Sequence, residues 1–403
     1  MQKLKNYKIL IIWQGDWPWD IRIEKEIISL QKANFDISIL ARNTSNKAIF
    51  EYMDGVAIYR LHKLFTNKKF DDIISTPIYI NPIWFLEIFN TIKNVKPNII
   101  IVRDIPLAIG CIIIAKIFKI KVILDMAENY PATIEVNPKY IKNPVSKFLI
   151  CNLNWYKYIE KYAVKWSDKI IVVVKESKER LINEYKIPRN KISIVSNTPL
   201  QDVIPQIATN NKIYDEKKLK ITYTGSIDGK FRGIHTLIEA ANLLKDNSNV
   251  EFNIVGDGIK LEEYKNKVSK LKLNNVNFLG KLPHKQLLDF LKSQDLGIVP
   301  HIKSDVIEYT IPNKIFDYMA QSLPVIVSSV KPLQRIVEET NCGYIFEAEN
   351  AISLEKLIRE IYINRGELPN KAQNGYQAIK NKYNWGNDEK NLLNIVNEYT
   401  KEK

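Results

Sequence analysis

The sequence has few cysteines and no apolar run long enough to cross a membrane. Its 3 cysteines are scattered over 403 residues, so they form neither a disulfide framework nor a zinc pattern, and a reducing environment fits best. The longest apolar run, Ile105 to Ala115, is interrupted by a proline and a glycine. It is short of the roughly 20 residues that a spanning helix needs. We therefore expect no transmembrane segment, and a location in the cytoplasm or at the inner face of the cell membrane.

The charge is strongly basic and unevenly distributed. The net charge is +14, of which +12 falls in residues 1–200 and +2 in residues 201–403. Such an asymmetry predicts an anionic partner for the first half, either nucleic acid or an anionic membrane surface or lipid diphosphate. No signature of a nucleic-acid-binding module is present, so we expect no nucleic acid. A coding bias toward lysine would explain part of the excess equally well.

Short apolar runs alternate with amphipathic stretches along the whole chain. Lys8 to Trp13, a turn with one glycine, a helix, and Asp36 to Leu40 give the strand–turn–helix–strand order of a Rossmann-like sheet. The alternation restarts at Lys220 after a linker rich in proline and asparagine. The predicted fold class is α/β, with Rossmann-like doubly wound domains at 1–199 and 200–384.

The stretch from Val299 to Ser328 combines a strand end, a helix start and a second strand. Pro312 and Asn313 precede the helix, and Lys314 and Asp317 share a face at its N-terminal end. A cation beside free amides suits a diphosphate, and a carboxylate one turn later suits the hydroxyl pair of a ribose. A solvated ion pair on an ordinary αβ unit is the alternative interpretation.

Charged and glycine residues also follow other predicted strands, at the edge where α/β proteins bind ligands. In the first half, Asp104 follows one strand, and Asp125 and Glu128 follow the next. In the second half, the loop from Gly225 to Gly233 holds three glycines and two cations between a strand and a helix. This loop is a plausible anion cradle, or else a flexible turn with stray lysines.

Several of these segments resemble glycosyltransferase family 4, which comprises retaining enzymes of GT-B fold. PNKIFDYMAQSLPVIV, beginning at Pro312, resembles the family's nucleotide-sugar signature, with Asp317 at its second acidic position and Glu308 one place off register from the first. DMAENYP resembles the Asp-x-His-Glu-x-Tyr-Pro segment, with Ala127 in place of the His. The glycine loop resembles the family's glycine–Arg loop, with Ser226 in place of the Arg.

The resemblance implies two domains facing a central cleft and a C-terminal helix, 385–403, that crosses back to the first domain. It implies a catalytic pair and a donor-binding set. The catalytic pair is Glu128 and Glu308. The donor-binding set is Gly15, Gly225, Arg232, Leu279, Asn313, Lys314 and Asp317. The acceptor-side set is Asp20, Arg22, Asp104 and Asp125, although a helix-capping Asp20 followed by an exposed Arg22 is an equally economical account.

The predicted function is transfer of a sugar, with retention, from a nucleoside-diphosphate sugar, UDP-linked by analogy, to a lipid-linked saccharide in cell-surface polysaccharide biosynthesis. No Asp-x-Asp triplet occurs, so we expect no metal and no other cofactor. Four scattered histidines, including His301, give no catalytic triad or ligand cluster. The basic first half predicts peripheral contact with an anionic membrane, through the basic and aromatic loop 61–70, whereas Trp84 to Phe89 is expected to be core. An epimerase of GT-B fold and a nucleotide-binding paralogue without transferase activity are the alternatives.

Overall fold

The computed structural model describes residues 7–18, 20–63, 74–76, 81–129, 132, 153–206 and 218–400. The chain divides into two compact units. Unit 1 consists of Met1–Asn197 with Asp388–Lys403, and unit 2 of Thr198–Asn387. Unit 1 is therefore built from two separate stretches of chain, while unit 2 is continuous.

In the described part of unit 1, eight strands form one sheet in the order β3-β4-β2-β1-β5-β6-β7-β8. The strands are β1 (Lys8–Asp16), β2 (Asp36–Arg42), β3 (Phe50–Met53), β4 (Val56–Arg60), β5 (Ile99–Arg103), β6 (Lys121–Met126), β7 (Lys169–Val172) and β8 (Ile192–Ile194). Neighbouring strands are parallel except for β3 and β4, which form an antiparallel hairpin. The central strands read as unbroken apolar runs because helices cover both faces of such a sheet.

The described helices of unit 1 between its strands are α1 (Ile21–Lys32), α2 (Pro82–Val95), α3 (Ala108–Ile117), α4 (Leu153–Trp166) and α5 (Lys175–Tyr185). The α1 helix begins where the sequence changes from a turn to an amphipathic pattern, and Asp20 caps its first turn. Trp84 and Ile88 of α2 are buried in the core, and Phe85 and Phe89 pack against it. The prediction that Trp84 to Phe89 forms a core face is confirmed. Most of the 61–70 loop lies outside the described residues.

In the described part of unit 2, six parallel strands form the sheet β11-β10-β9-β12-β13-β14. They are β9 (Leu219–Thr224), β10 (Val250–Val255), β11 (Val276–Gly280), β12 (Leu296–Val299), β13 (Val325–Ser328) and β14 (Gly343–Phe346). The helices are α6 (Ile234–Leu243), α7 (Leu261–Lys270), α8 (His284–Lys292), α9 (Lys314–Ala320), α10 (Lys331–Thr340), α11 (Ala351–Ile363) and α12 (Leu368–Asn381). This strand order is that of a doubly wound Rossmann sheet, as predicted.

The last described helix, α13 (Trp385–Glu398), begins in unit 2 and continues into unit 1. Asp388 accepts a hydrogen bond from the Ser196 backbone N–H at 2.8 Å, and Lys169 contacts Glu398 at 2.6 Å. The Tyr7 hydroxyl donates to the Thr400 carbonyl at 2.9 Å. The chain is thus tied back onto the unit in which it starts. Across the described ranges, no helix combines the length and the apolar character needed to cross a bilayer.

Candidate active site

The sheet of unit 2 has a topological switch point between β9 and β12. These two strands are neighbours, and the chain continues from them toward opposite edges of the sheet. The loops that leave their carboxyl ends therefore separate, and doubly wound proteins bind ligands in the crevice that results. Gly225 follows β9, and Pro300 and His301 follow β12. The residues around these strand ends are the candidate donor site.

Two glycines allow the backbone segments of this site to approach closely. Gly233 has φ +71°, and a Cβ atom there would lie 1.6 Å from the Pro300 carbonyl oxygen. Gly256 has φ +150°, and its Cβ atom would lie 1.8 Å from the Gly225 carbonyl oxygen. Side chains at these positions would overlap the backbone as well as strain φ. The loops after β9 and β10 and the end of β12 are thus packed against each other.

Lys314, in the first turn of α9, is a buried cation that no described acidic group contacts through a hydrogen bond. Its side chain is 8% exposed, and its Nζ has no hydrogen-bond partner among the described residues. Nζ lies 3.6 Å from the centroid of the Tyr223 ring. Burial, together with the charge of Arg232, holds the pKa of the Lys314 ammonium well below its ordinary value. An anionic ligand next to Nζ would stabilise the charged ammonium and raise its pKa.

His301 belongs to the same cluster, and the sequence reasoning missed it. The side chain has no exposed surface, and neither ring nitrogen has a hydrogen-bond partner within the described ranges. Burial lowers the pKa of His301 well below its usual value, and the charges of Lys314 and Arg232 act in the same direction. Arg232 itself has a buried Nε atom without a hydrogen-bond partner among the described residues. Unsatisfied buried groups of this kind mark a place where a ligand or water is expected.

A cavity of about 500 Å³ opens beside this cluster, at the carboxyl ends of β9, β10 and β11. Its volume is in the range of small-ligand pockets. Its lining includes Thr224, Gly225, Ser226, Gly256, Lys281 and Leu282. Leu279, a predicted donor-binding residue, lies in β11 with 42% of its surface exposed, and Lys281 and Leu282 belong to the loop that follows this strand.

Ser226, which stands where the family has an arginine, stabilises the loop. Its hydroxyl donates to Asp228 Oδ2 at 2.7 Å, and Asp228 Oδ1 accepts from the Ile259 N–H at 2.6 Å. Tyr223 donates through its hydroxyl to the Ser226 carbonyl at 2.7 Å. Ser226 thus holds Asp228, and Asp228 connects the loop after β9 to the loop after β10. The basic groups of the site come instead from Arg232, Lys314 and His301.

The other predicted residues of the signature lie around α9. Asn313 is exposed at the start of the helix and makes no capping hydrogen bond through its side chain, and Asp317 is half-buried one turn further. Glu308 is 9% exposed, with Oε2 3.3 Å from Lys331 Nζ and with Oε1 unpartnered among the described atoms. The amides of Phe316 and Asp317 donate to the Asn313 carbonyl. The predicted free amides therefore do not include these two.

In unit 1, Asp125 is the centre of a buried ion-pair cluster. Arg22 donates to both oxygens of Asp125, at 2.7 and 3.0 Å, and its third nitrogen donates to the Val195 carbonyl at 2.8 Å. Arg103 donates to Asp125 as well. Burial favours the neutral acid, but Arg22 and Arg103 lower the pKa of Asp125 to about 2. Burial and the charge of Asp125 raise the pKa of neighbouring Glu26 to about 8.

The burial of Arg22 in this cluster contradicts the alternative of an exposed Arg22, while the acceptor-side set stays a prediction. Asp20 accepts hydrogen bonds from the Arg22 and Ile23 N–H groups and caps α1, but Arg22 is buried, not exposed. Arg22 and Asp125 have almost no exposed surface, and with Arg103 they connect α1 to the ends of β5 and β6 and to Val195 after β8. Gly15, predicted near the donor phosphate, makes room for the Trp13 ring, which a Cβ atom would approach to 2.7 Å.

Asp104 and Glu128 lie at the carboxyl ends of β5 and β6. Asp104 has φ +59°, and its Oδ1 accepts from the Ala127 N–H at 3.1 Å. Burial is the main cause that raises the pKa of Asp104 to about 7, and the charges of Glu128 and Asp125 act in the same direction, against that of Arg103. Glu128 is exposed at the same edge. No group of three or more potential metal ligands occurs among the described residues.

The fold places the chain in a known structural class. HepE from Anabaena, solved in complex with UDP, matches 97% of this chain and 100% of its own with a TM-score of 0.71 and 12% identity. At this identity the likeness shows the fold alone. The chain has two α/β units, each with a mainly parallel sheet. Together with this likeness they define a protein of GT-B fold, as predicted.

Two protein families match the chain, one on each half. The family described as Glycosyltransferase Family 4 matches residues 27–198, and the one described as Glycosyl transferases group 1 matches residues 206–380. The two matches together cover most of the chain. The chain belongs to glycosyltransferase family 4.

Curated relatives share part of the sequence. The glycosyltransferase MJ1178 of Methanocaldococcus jannaschii is 27% identical over 232 residues, which are 57% of this chain and 59% of that protein. The UDP-Gal:alpha-D-GlcNAc-diphosphoundecaprenol alpha-1,3-galactosyltransferase of Escherichia coli is 24% identical over 245 residues, 56% of this chain and 60% of that protein. The chain thus spans between half and three fifths of the length of the curated relatives that it matches.

Proposed function

We propose that this protein is a retaining glycosyltransferase that moves a sugar from a UDP-sugar to a lipid-linked saccharide in cell-surface polysaccharide biosynthesis, at the inner face of the cell membrane. One observation carries the proposal. Lys314, His301 and Arg232 bring buried, unsatisfied basic nitrogens together at the switch point of unit 2, beside a cavity of about 500 Å³. A nucleoside diphosphate supplies both the anion and a group large enough for the cavity.

In this proposal the donor spans the cluster and the cavity. The base enters the cavity beside Lys281 and Leu282, with Leu279 and Gly225 at its margin. The diphosphate contacts Lys314 and Arg232. The ribose lies near Asp317 and Asn313, and Glu308 contacts the sugar that is transferred. The UDP in the HepE structure and the UDP-linked donor in the name of the E. coli relative support a uridine nucleotide.

The acceptor is proposed to approach the edge of unit 1 that carries Glu128 and Asp104. Arg22 and Asp125 act as positioning residues beneath that edge, because their pairing fixes the strand ends. The name of the E. coli relative includes an undecaprenyl diphosphate acceptor, and the basic first half of this chain suits a lipid diphosphate.

The transfer needs no enzyme nucleophile. The acceptor hydroxyl oxygen attacks the anomeric carbon on the face from which the diphosphate leaves, so the configuration is retained. The bond between that carbon and the diphosphate oxygen breaks, and this oxygen takes the acceptor proton, giving the glycosylated acceptor and UDP. Lys314 and Arg232 stabilise the negative charge on the leaving diphosphate, and we propose that they do so without the help of a metal ion.

The test is release of UDP from a panel of UDP-sugars, with and without a lipid-linked acceptor extract. We expect acceptor-dependent release by the wild type and its loss in Arg232→Ala and Asp317→Ala. Lys245→Ala, an exposed lysine of the same unit, serves as the matched control and should behave as the wild type. Release that survives both site changes would show that the site is misplaced. Tight UDP binding without release from any sugar would favour a binding protein instead.

A further inference from the structure

A line of aromatic side chains is exposed along one face of α4. Trp155, Tyr158, Tyr162 and Trp166 are between 42% and 58% exposed. Their spacing of three, four and four residues places them on one side of the helix. The opposite side of α4, which includes Tyr156 and Ile159, is buried against the core. The helix therefore carries large aromatic side chains on its outer side as well as apolar ones on its inner side.

The neighbouring helix α3 extends this surface. Ile113 and Ile117, one turn apart, are 41% and 67% exposed. Lys116, between them, places its Nζ 5.0 Å from the centroid of the Trp166 ring, and Tyr162 contacts the same ring at 5.1 Å. The exposed side chains of the two helices thus form one continuous surface. We call it the α3/α4 face, and it consists of Ile113, Lys116, Ile117, Trp155, Lys157, Tyr158, Tyr162, Lys165 and Trp166.

The α3/α4 face is positively charged. Lys116, Lys157 and Lys165 are exposed on it. Glu160 is the one acidic residue in the sequences of α3 and α4. It has no exposed surface and is engaged by Arg180, at 2.6 and 2.9 Å, and by the Tyr185 hydroxyl, at 2.6 Å. Nothing acidic on these two helices balances the lysines.

We propose that the α3/α4 face docks on the surface of an anionic lipid bilayer. Trp and Tyr favour the boundary between water and acyl chains, isoleucine adds apolar area, and each lysine is attracted to anionic headgroups. A second copy of this chain fits less well. A symmetric dimer through this face would bring its lysines against one another. The helices would lie along the bilayer surface and would not cross it.

This inference rests on the proposed function, since it explains how the enzyme would reach a lipid-linked acceptor. A helix that packs on a parallel sheet and precedes a strand runs opposite to that strand, and α4 leads directly into β7. The Trp155 end of the α3/α4 face therefore lies toward the carboxyl edge of the sheet. Asp104 and Glu128 are at this edge. A docked membrane would present its headgroups on the side of unit 1 where the acceptor is proposed to bind.

The experiment is flotation of the full-length protein with vesicles of phosphatidylcholine alone or mixed with phosphatidylglycerol. We expect binding to the anionic vesicles that weakens as salt rises. Trp155→Ser combined with Trp166→Ser should weaken the partition coefficient by about fivefold for each indole, because about half of each tryptophan residue is exposed and would be buried in the bilayer. Lys116→Gln combined with Lys165→Gln should weaken it by about fivefold for each charge.

The matched control is Ile259→Ser combined with Ile363→Ser, which removes two residues of unit 2 that are 75% and 78% exposed. This control should float as the wild type does. Equal losses in the control and the tryptophan variant, or no flotation of the wild type, would overturn the proposal. The proposal would also be overturned if sedimentation showed that the wild type and the control are dimers and that the tryptophan variant is a monomer.

Two further measurements separate this inference from the proposed function. UDP binding by calorimetry and the unfolding temperature should be unchanged in the tryptophan and lysine variants, because the α3/α4 face is not part of the donor site. Flotation that persists in a protein without UDP release would refute the transferase proposal alone. A protein that releases UDP from UDP-sugar when given a water-soluble acceptor, but does not float with anionic vesicles, would refute the membrane proposal alone.

Discussion

Replacing Lys314 by methionine should weaken UDP binding and yet stabilise the free protein. Methionine preserves the length and the apolar stem of the side chain but removes the charge. In the free protein the Lys314 ammonium is buried, contacts the face of the Tyr223 ring, and has no hydrogen-bond partner among the described residues. The charge is therefore costly until an anion is bound. These two opposite effects distinguish a ligand-binding cation from a structural one.

The size of each effect follows from the burial of Lys314. A hydrogen bond that involves a charged group contributes about 1.5–3 kcal/mol, so the loss of the bond to the diphosphate should raise the Kd for UDP by about 10- to 150-fold. An unsatisfied buried polar group costs about 1–3 kcal/mol. For a chain unit of this size each kcal/mol corresponds to about 2–4 °C in Tm. We expect the free variant to unfold several degrees above the wild type.

The effect on stability should also depend on pH. The pKa of Lys314 is lowered in the folded protein, so between that lowered value and about 10.5 the unfolded chain binds more protons than the folded chain. The stability of the wild type relative to the methionine variant should therefore rise as the pH rises through this interval. UDP should stabilise the charged form of Lys314 and raise its pKa, so UDP binding should take up protons and weaken with rising pH.

Titration calorimetry with UDP and thermal unfolding with and without UDP provide the measurements. Lys245→Met is the control, since Lys245 is exposed on the same unit. Wild-type affinity in the Lys314→Met variant would show that this cation does not contact the nucleotide. A free variant that unfolds below the wild type would show that Lys314 already has a stabilising partner, and the reasoning would fail.

Three further predictions concern backbone packing and buried acids. Gly233→Ala should lower Tm by several degrees and abolish UDP binding, because its Cβ atom would overlap the Pro300 carbonyl; Gly366→Ala, with no atom within 4 Å, should be neutral, and equal effects would contradict the packing. For Asp104→Asn and Glu26→Gln, each amide mimics the neutral acid. In urea unfolding, the wild type should lose stability relative to Asp104→Asn as the pH rises from about 4 to about 7. Relative to Glu26→Gln, the wild type should continue to lose stability up to about pH 8. If the difference in unfolding free energy between the wild type and a variant did not depend on pH, the raised pKa of that acid would be contradicted.

The sequence pattern predicted the parallel strands well because each is a short apolar run buried on both faces. The predicted strands Lys8 to Trp13 and Asp36 to Leu40 agree with β1 and β2 within three residues. The edge strand β3 was missed, since none of its four residues is buried and they do not form an apolar run. A signal was present in Asp54 and Gly55, which both have positive φ and form the turn between β3 and β4.

The site was predictable only where neighbours in the sequence are also neighbours in space. Lys314 and Asp317 share a helix turn, so their proximity could be read from spacing. His301 joins Lys314 only because β12 leads to the same crevice, which no spacing along the chain reveals. Burial of Arg22 was missed for the same reason, since its partner Asp125 is 103 residues away and its exposure depends on packing.

The path of the chain imposes an order on its synthesis. Unit 1 contains both the first described residues and those from Asp388 onward, with all of unit 2 between them. A ribosome must therefore translate unit 2 before α13 exists to contact Ser196 and Lys169. Unit 2 can complete its sheet while unit 1 still lacks its final helix. A premature stop shortly before Asp388 would consequently harm the unit that was translated first and spare the one translated last.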